Sequence, residues 1–420
     1  MGWARGANAE MALAFEDTYG VAATEGFAQQ PFSQSNLGAE QALVTDDTLG
    51  QGRNPSDPTF DVITNDGDVT VPACVRNMGY WLKGGLGDPV TTAFAAAKGK
   101  LTFSAQPAAA STITLNGTPW TFVSALTTGN QILIGANLAA TMTAAAAALN
   151  GSSETQTVKC TYTADATSLS LVNDTVGIAG NTYTLAASNT ANAKLSAATL
   201  QGGANKHVFT SGATDLASLS IQVGLPDLPK FFLNYGMGVN SLKMSAARSG
   251  LLALVVSLFG KNEAVYATTQ AGTATVLPTK RLAQFSGSIK RNGAALGKVT
   301  AADWTYSNDL EKGEDITETG DISDLTASVW SFLFNLTMRF ADTLVLDQAT
   351  NKEACELSFG WKIDDSNSFT VTAARVFIPK PKKPITGPKG IQMTYAGQAA
   401  LDPDTGDGVT FELVNDVAGY

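Results

Sequence analysis

Short runs in which apolar and polar residues alternate recur along the chain: ASLSIQVGL at 217–225, VNSLKMSA at 239–246, LLALVVSLFG at 251–260, QFSGSIKRNG at 284–293, ELSFGWKI at 356–363, FTVTAARVFI at 369–378 and VTFELVN at 409–415. Each is bounded by Gly, Pro, Asn or Asp. Successive side chains of a strand point to opposite faces, so a period of two marks half-buried strands, and the turn residues mark reversals. Asn240, Leu242, Met244 and Ala246 fall on one face of their strand, with Ser241, Lys243 and Ser245 on the other. Regular spacing of such strands predicts an antiparallel sandwich or barrel over residues 207–420.

The period changes to three and four at Val75, Met78, Leu82 and Leu86. A short amphipathic helix is therefore expected in VRNMGYWLKGGL, following a strand at Asp68–Cys74 and ended by Gly84, Gly85 and Gly87. Ahead of that strand lie an extended, loop-rich N-terminal arm and a long polar loop, Asp46–Asp61.

Residues 97–206 have a character of their own. TITLNGTPWTFVS reads as a hairpin, NLAATMTAAAAALNG as an alanine-rich helix closed by Gly151, and TQTVKCTYTADATSLSLVN with NTYTLAAS as further strands. Lys98-Gly99-Lys100 and the stretch Gly202 to Lys206 read as flexible boundaries. Between residues 101 and 201 only Glu154, Asp165 and Asp174 stand against Lys159 and Lys194, so −1 of the formal charge of −10 resides there. The expected organisation is a mainly β domain built from 1–96 and 207–420, with a helix on its flank, interrupted by a small inserted α+β domain at 97–206.

Composition narrows the class. A chain of 420 residues needs neither disulfides nor metals to build a core. Cys74, Cys160 and Cys355 are odd in number and far apart, as expected of reduced, buried thiols in a protein made in a cytoplasm. The start MGWARGANAEMALAFEDTYG lacks the basic residues and unbroken apolar run of a secretory signal, and the longest apolar run, Leu251–Phe259, is too short to span a bilayer as a helix. With 37 acidic against 27 basic residues and no basic stripe, the chain is not built to grip nucleic acid.

Candidate chemistry is sparse. A single histidine, His207, removes Ser-His-Asp and Cys-His arrangements and any site with two histidine ligands. YGMGVN carries Gly236 and Gly238 but lacks the third glycine of a dinucleotide site, so the pair is expected at a turn or bulge. DPDTGDG, with Asp402, Asp404 and Asp407, echoes a calcium loop, yet Asp407 stands where glycine is needed and Leu413 where glutamate is needed. It reads as a polar hairpin turn. The acid-rich run Asn308–Asp324 reads as a solvated strand and loop or an acidic surface facing DNA, and the basic PKPKKPITGPKG at 379–390 as an extended connector or a contact with an acidic neighbour. No catalytic residue, cofactor site or metal site is expected, and no enzymatic activity.

The order of the segments resembles the tail tube proteins of siphophages. The resemblance is carried by AFEDTYGVAA with PFSQSNL, by DDTLGQGRNPSDP leading into DGDVTVPACVRNMGYWLKGGLG, by HVFTSGATDLASLSIQVGL and YGMGVNSLKMSAARSGLLALVVSLFGK, and by NDLEKGE with a late pair of strands around NLTMRFADTLVLD and ELSFGWKI. It covers residues 10–96 and 207–415, whereas 97–206 depart from the minimal form and are similar to small surface modules of virion proteins. It implies an antiparallel β-sandwich of the phage tail tube type, assembled as hexameric rings stacked head to tail around the tape measure protein. Strands of each subunit would join in one barrel lining the lumen, and the N-terminal arm, long loop and C-terminal segment would bridge rings. Implied partners are further copies of the chain, the tape measure protein, the tail terminator and distal tail proteins, and DNA in transit that is not tightly bound, in the virion tail and without membrane insertion. Within the long loop, Arg53, Asp57 and Phe60 are the expected inter-ring contacts.

Other classes make distinct demands. A sheath or decoration protein of a virion shares the β-rich composition. An outer-membrane porin needs a secretion signal and lipid-facing aromatic girdles, and a surface adhesin also needs secretion; neither feature is found in the sequence.

Overall fold

The computed structural model describes residues 3–50, 52–316, 320–385, 387–406 and 408–420. Its principal strands, in chain order, are β1 (Glu10–Phe15), β2 (Gly38–Val44), β3 (Thr59–Pro72), β4 (Val90–Phe103), β5 (Ala204–Thr210), β6 (Leu219–Leu225), β7 (Lys230–Ala247) and β8 (Ala253–Gly260). Then come β9 (Asn262–Tyr266), β10 (Gly287–Arg291), β11 (Val299–Ser307), β12 (Ser331–Arg339), β13 (Cys355–Asp364), β14 (Asn367–Phe377), β15 (Gln392–Ala400) and β16 (Val409–Asn415). The fold is mainly β, as the alternation requires.

Two antiparallel sheets enclose the main core. One runs β2–β3–β8–β7–β11–β12–β15, using the C-terminal half of β7. The other runs β10–β13–β14–β16–β5–β4, using the N-terminal half of β4. They meet where the end of β14, Arg375–Phe377, pairs with β15. Register explains the packing: Met244 lies opposite both Leu254 and Trp304, so the buried positions of three neighbouring strands form one row. Trp304 and Tyr306 on the first sheet meet Phe411 on the second edge to face, with ring centroids 5.6 and 5.7 Å apart. Such pairs add about 0.5–1.5 kcal/mol each beyond their buried area.

The N-terminal half of β7 belongs to a third sheet, β1–β6–β7–β9. The strand passes between sheets at Gly236, where its pairing with β6 shifts by one residue and φ is +64°. A Cβ there would meet Lys261 Cβ at 2.6 Å, so the glycine of YGMGVN serves a bulge. Glu16 holds the crossing together: its carboxylate accepts from the Gly236 N–H (2.8 Å), the Gly20 N–H (3.0 Å) and the hydroxyls of Ser218 (2.8 Å) and Ser220 (2.7 Å). Residues 10–15 of the N-terminal segment, expected to be an extended, loop-rich arm, are thus a strand with buried residues Met11 to Ala14, paired with β6 of the same subunit.

Helix α1 (Met78–Leu86) buries Met78, Trp81, Leu82 and Leu86 on the sandwich. Gly84 and Gly85, expected to end it, lie inside it; a Cβ on either would approach Leu219, Val239 or Leu242 to 3.0–3.2 Å. Close packing is their purpose, and Gly87, at φ +83°, ends the helix. The late strand expected around NLTMRFADTLVLD is β12, which ends at Arg339, and the segment closes in a helix, Leu344–Asn351, which sends Val345, Leu346 and Ala349 into the main core.

A second buried cluster draws its members from residues between Ala97 and Leu200. One of its sheets contains the C-terminal half of β4 with Ser168–Val176, Cys160–Ala164 and Ala193–Leu195. The other contains Leu185–Ala187, Thr112–Leu115, Thr118–Val123 and Gln131–Leu133, and the alanine-rich helix α2 (Leu138–Asn150) lies against Gln131–Leu133 and against Cys160–Ala164 of the first. The hairpin expected at Asn116-Gly117 forms with φ of +46° and +86°, as a two-residue turn of that kind requires. Asn137 Oδ1 caps α2 at the Ala140 N–H, 2.9 Å.

The junctions are not flexible. Lys98-Gly99-Lys100 lies inside the unbroken strand β4, paired with Leu171 at Gly99. Across from it, Gly203 exchanges two hydrogen bonds with the Asn181 side chain (2.9 and 2.8 Å). Glycine is needed at 203 because a Cβ would reach Gly177 O at 2.5 Å. Since Ala95 and Ala204 are β-paired neighbours, the ends of the intervening segment are already adjacent. Replacing residues 98–202 by a two-residue turn should therefore leave a chain that unfolds in one cooperative transition, with native-like β signal in circular dichroism. A shortened chain that fails to fold would show that the two cores depend on each other.

Candidate assembly surfaces

β2 and β3 form a hairpin whose base is built into the first sheet and whose far end leaves it. Gly38 pairs with Asp66 at the base and Val44 with Thr59 at the far end, and residues 45–58 close the tip. At the base, Gly67 lets the Asn36 backbone approach, Asp68 N–H donates to Asn36 Oδ1 at 2.6 Å, and Lys312 pairs with Asp66 at 3.3 Å while lying over the Phe259 ring. Beyond the base, Ala39–Val44 and Thr59–Val62 are exposed on both faces. Leu43, Val44, Phe60 (71%) and Val62 lie in this ribbon, and Leu49 (94%) stands at its tip.

An isolated two-stranded ribbon is marginal in water, and four large apolar side chains on its faces make it a surface that needs a cover. Arg53 and Asp57 lie in the loop, whereas Phe60 falls on β3, because the strand begins at Thr59 and not at Asp68. All three are exposed, and no hydrogen bond or ion pair joins them among the described residues. The alternation in AEQALV could have located Leu43 and Val44; the loop composition drew attention away from the strands that carry it.

A second unfinished surface is the start of β4. Val90–Phe94 pairs with β5 on one side only and is exposed, Val90 and Phe94 included. VTTAFAAA carries no clear alternation, so this edge leaves no mark in the residue pattern. A free strand edge is a template for another strand. His207 fixes it from behind: Nδ1 meets Thr91 Oγ1 at 2.9 Å, Nε2 meets Asn415 Oδ1 at 3.2 Å, and the Tyr420 ring packs edge-on at 5.0 Å.

The other singled-out residues are structural or at the surface. Cys74, Cys160 and Cys355 are buried free thiols. The polar turn expected as a hairpin connects β15 to β16, which pair with other strands and not with each other; in it Asp402 Oδ1 accepts from the Asp404 N–H at 3.1 Å, and Asp407 lies outside the described residues. The connector 379–390 links β14 to β15 with its lysines outside any ion pair among the described residues. No group of three metal-ligating side chains occurs among the described residues, and no described helix is long and apolar enough to cross a membrane.

An exposed apolar ribbon and an open strand edge on an otherwise well-packed sandwich define a structural subunit. The chain belongs to the phage tail tube protein family, whose model matches residues 6–399. A comparison with curated proteins finds no match.

Burial lowers the His207 pKa from its ordinary 6.5, partly offset by the Asn415 bond. The unfolded chain then binds the proton more readily, so the stability His207 contributes is complete above about pH 6.5 and is lost as pH falls below it. The urea midpoint should drop between pH 7.5 and 5.5, and His207→Gln should drop less over the same interval. Equal losses in both proteins would show that His207 does not titrate as described.

Proposed function

We propose that the protein is the tail tube subunit of a long-tailed siphophage, forming hexameric rings that stack head to tail into the conduit through which genomic DNA enters the host. The observation that carries this reading is the β2–β3 ribbon with its two exposed faces, in a chain of the tail tube family. The ribbon reaches from its subunit to the neighbouring ring, with Arg53, Asp57 and Phe60 at the contact. The open edge at Val90–Phe94 pairs with a strand of the adjacent subunit, which turns an aggregation hazard into a closed ring.

The tape measure protein fills the tube during assembly, and tail terminator and distal tail proteins cap its ends, after synthesis in the host cytoplasm. The wall of the lumen is net negative, since like charge opposes the counterion release that drives DNA binding and leaves the polyanion free to slide. The −9 outside residues 101–201 supports this. Residues 97–206 form an external module, because a conduit has no room for a second core from every subunit. The subunit performs no catalysis; its work is shape and assembly.

Negative-stain microscopy tests the reading. Purified protein, alone or with the tape measure protein, should form rings or hollow tubes, and Leu43→Asp with Phe60→Asp should remain folded yet give no stacked tubes. A wild-type chain that stays monomeric at high concentration with the tape measure protein present would overturn it.

A further inference from the structure

The two ends of the sandwich carry opposite chemistry. At one end, where the two sheets part between β10 and β11, lies a groove of about 930 Å³. Its walls include Ala246, Phe285 and Trp361, and its charged lining residues are Arg248, Lys298 and Arg339, with no acid. Lys298 is engaged by Asp342 at 3.9 Å, but Arg248 and Arg339 have no ion pair among the described residues. Trp361 is 2% exposed and its indole N–H has no hydrogen-bond partner. The groove therefore offers two guanidinium groups without an ion pair among the described residues, beside an apolar wall.

At the other end lies the acid-rich stretch. β11 starts at the groove with Val299–Ala302 and ends at Ser307, which leads into Asn308. The eight steps from Val299 to Ser307, at about 3.3 Å each, give this strand a length of roughly 26 Å, with the groove at one end and the acid-rich stretch at the other. The neighbours agree: β7 runs from Ser241, opposite Ser307, to Ala246 and Arg248 at the groove, and β12 from Ser331, opposite Ser307, to Arg339. Glu311-Lys312 pairs with Leu325-Thr326, and from this short ladder Glu314, Asp315 and a fully exposed Ile316 project. Lys312, the stretch's one cation, is turned back onto Asp66.

From this polarity we infer that the basic groove receives the Glu314-Asp315-Ile316 segment of a second copy of the chain, making an electrostatic head-to-tail contact. The inference rests on the tail tube reading and assigns the acidic stretch to the stacking interface instead of a DNA-facing wall. The occupant follows from complementarity: carboxylates match the guanidinium groups, Ile316 matches the apolar wall, and both partners exist on every copy. Complementary patches at opposite ends of a subunit give a heterologous contact, which repeats without closing as a stack requires.

Charge reversal on each side tests it. Arg248→Glu with Arg339→Glu, and separately Glu314→Arg with Asp315→Arg, should each raise the concentration needed for assembly by about tenfold or more, with melting unchanged. All four changes in one chain should restore assembly to near the wild-type concentration. Assembly of the wild type should also weaken as salt rises from about 0.05 to 0.5 M. Unchanged assembly of either folded pair variant, or two losses without rescue in the fourfold variant, overturns the contact while leaving the tube reading standing. If the arginine variant assembles normally but no longer retains a DNA fragment that the wild type retains, the groove takes nucleic acid and the proposal falls. A wild type that forms no stacks overturns both.

Discussion

Every backbone N–H and C=O of a strand demands a partner, and two exposed stretches carry that demand outward: the β2–β3 ribbon beyond its base, where each strand pairs only with the other, and the start of β4, which pairs with β5 alone. A two-stranded ribbon carrying Leu43, Val44, Phe60 and Val62 on its faces lacks a layer to rest on within its own subunit. The rest of the fold holds that ribbon in place: Asn36, Gly67 and the Lys312 to Asp66 pair clamp its base, and β8 ties it to the core. The rigidity of the base directs the exposed end outward.

Long strands are the means by which the parts share one frame. β7 serves two sheets across the Gly236 bulge, and β4 serves both hydrophobic clusters without a break. Glu16 and Gly203 are the pins at those crossings, each through more than one hydrogen bond. The segment that holds the second cluster is consequently joined to the sandwich by a continuous strand on one side and a two-bond clasp on the other.

Much of this was legible in the sequence. Period-two runs with turn residues located most strands of the main core, Asn116-Gly117 its hairpin, and the run of alanines its helix. What escaped follows a pattern. Gly84 and Gly85 read as helix stops because composition does not reveal close packing on Leu219 and Leu242. The helix Leu344–Asn351 leaves no clear mark, because eight residues with one apolar face satisfy either period. Lys98-Gly99-Lys100 reads as a flexible boundary because glycine in a strand resembles glycine in a linker; here a Cβ would collide with Leu200. The long loop was noticed, but its apolar strands were not, and the edge at Val90–Phe94 shows only in the pairing.

Hydrogen–deuterium exchange on the soluble subunit and on the assembled material addresses the central claim, that the ribbon and edge are completed by neighbouring copies. Amides in residues 38–44, 59–63 and 90–94 should exchange quickly in the subunit and at least about a hundredfold more slowly after assembly, while amides of β11 and β12 remain slow in both. Assembled tubes in which those three segments exchange as fast as in the free subunit would contradict the account.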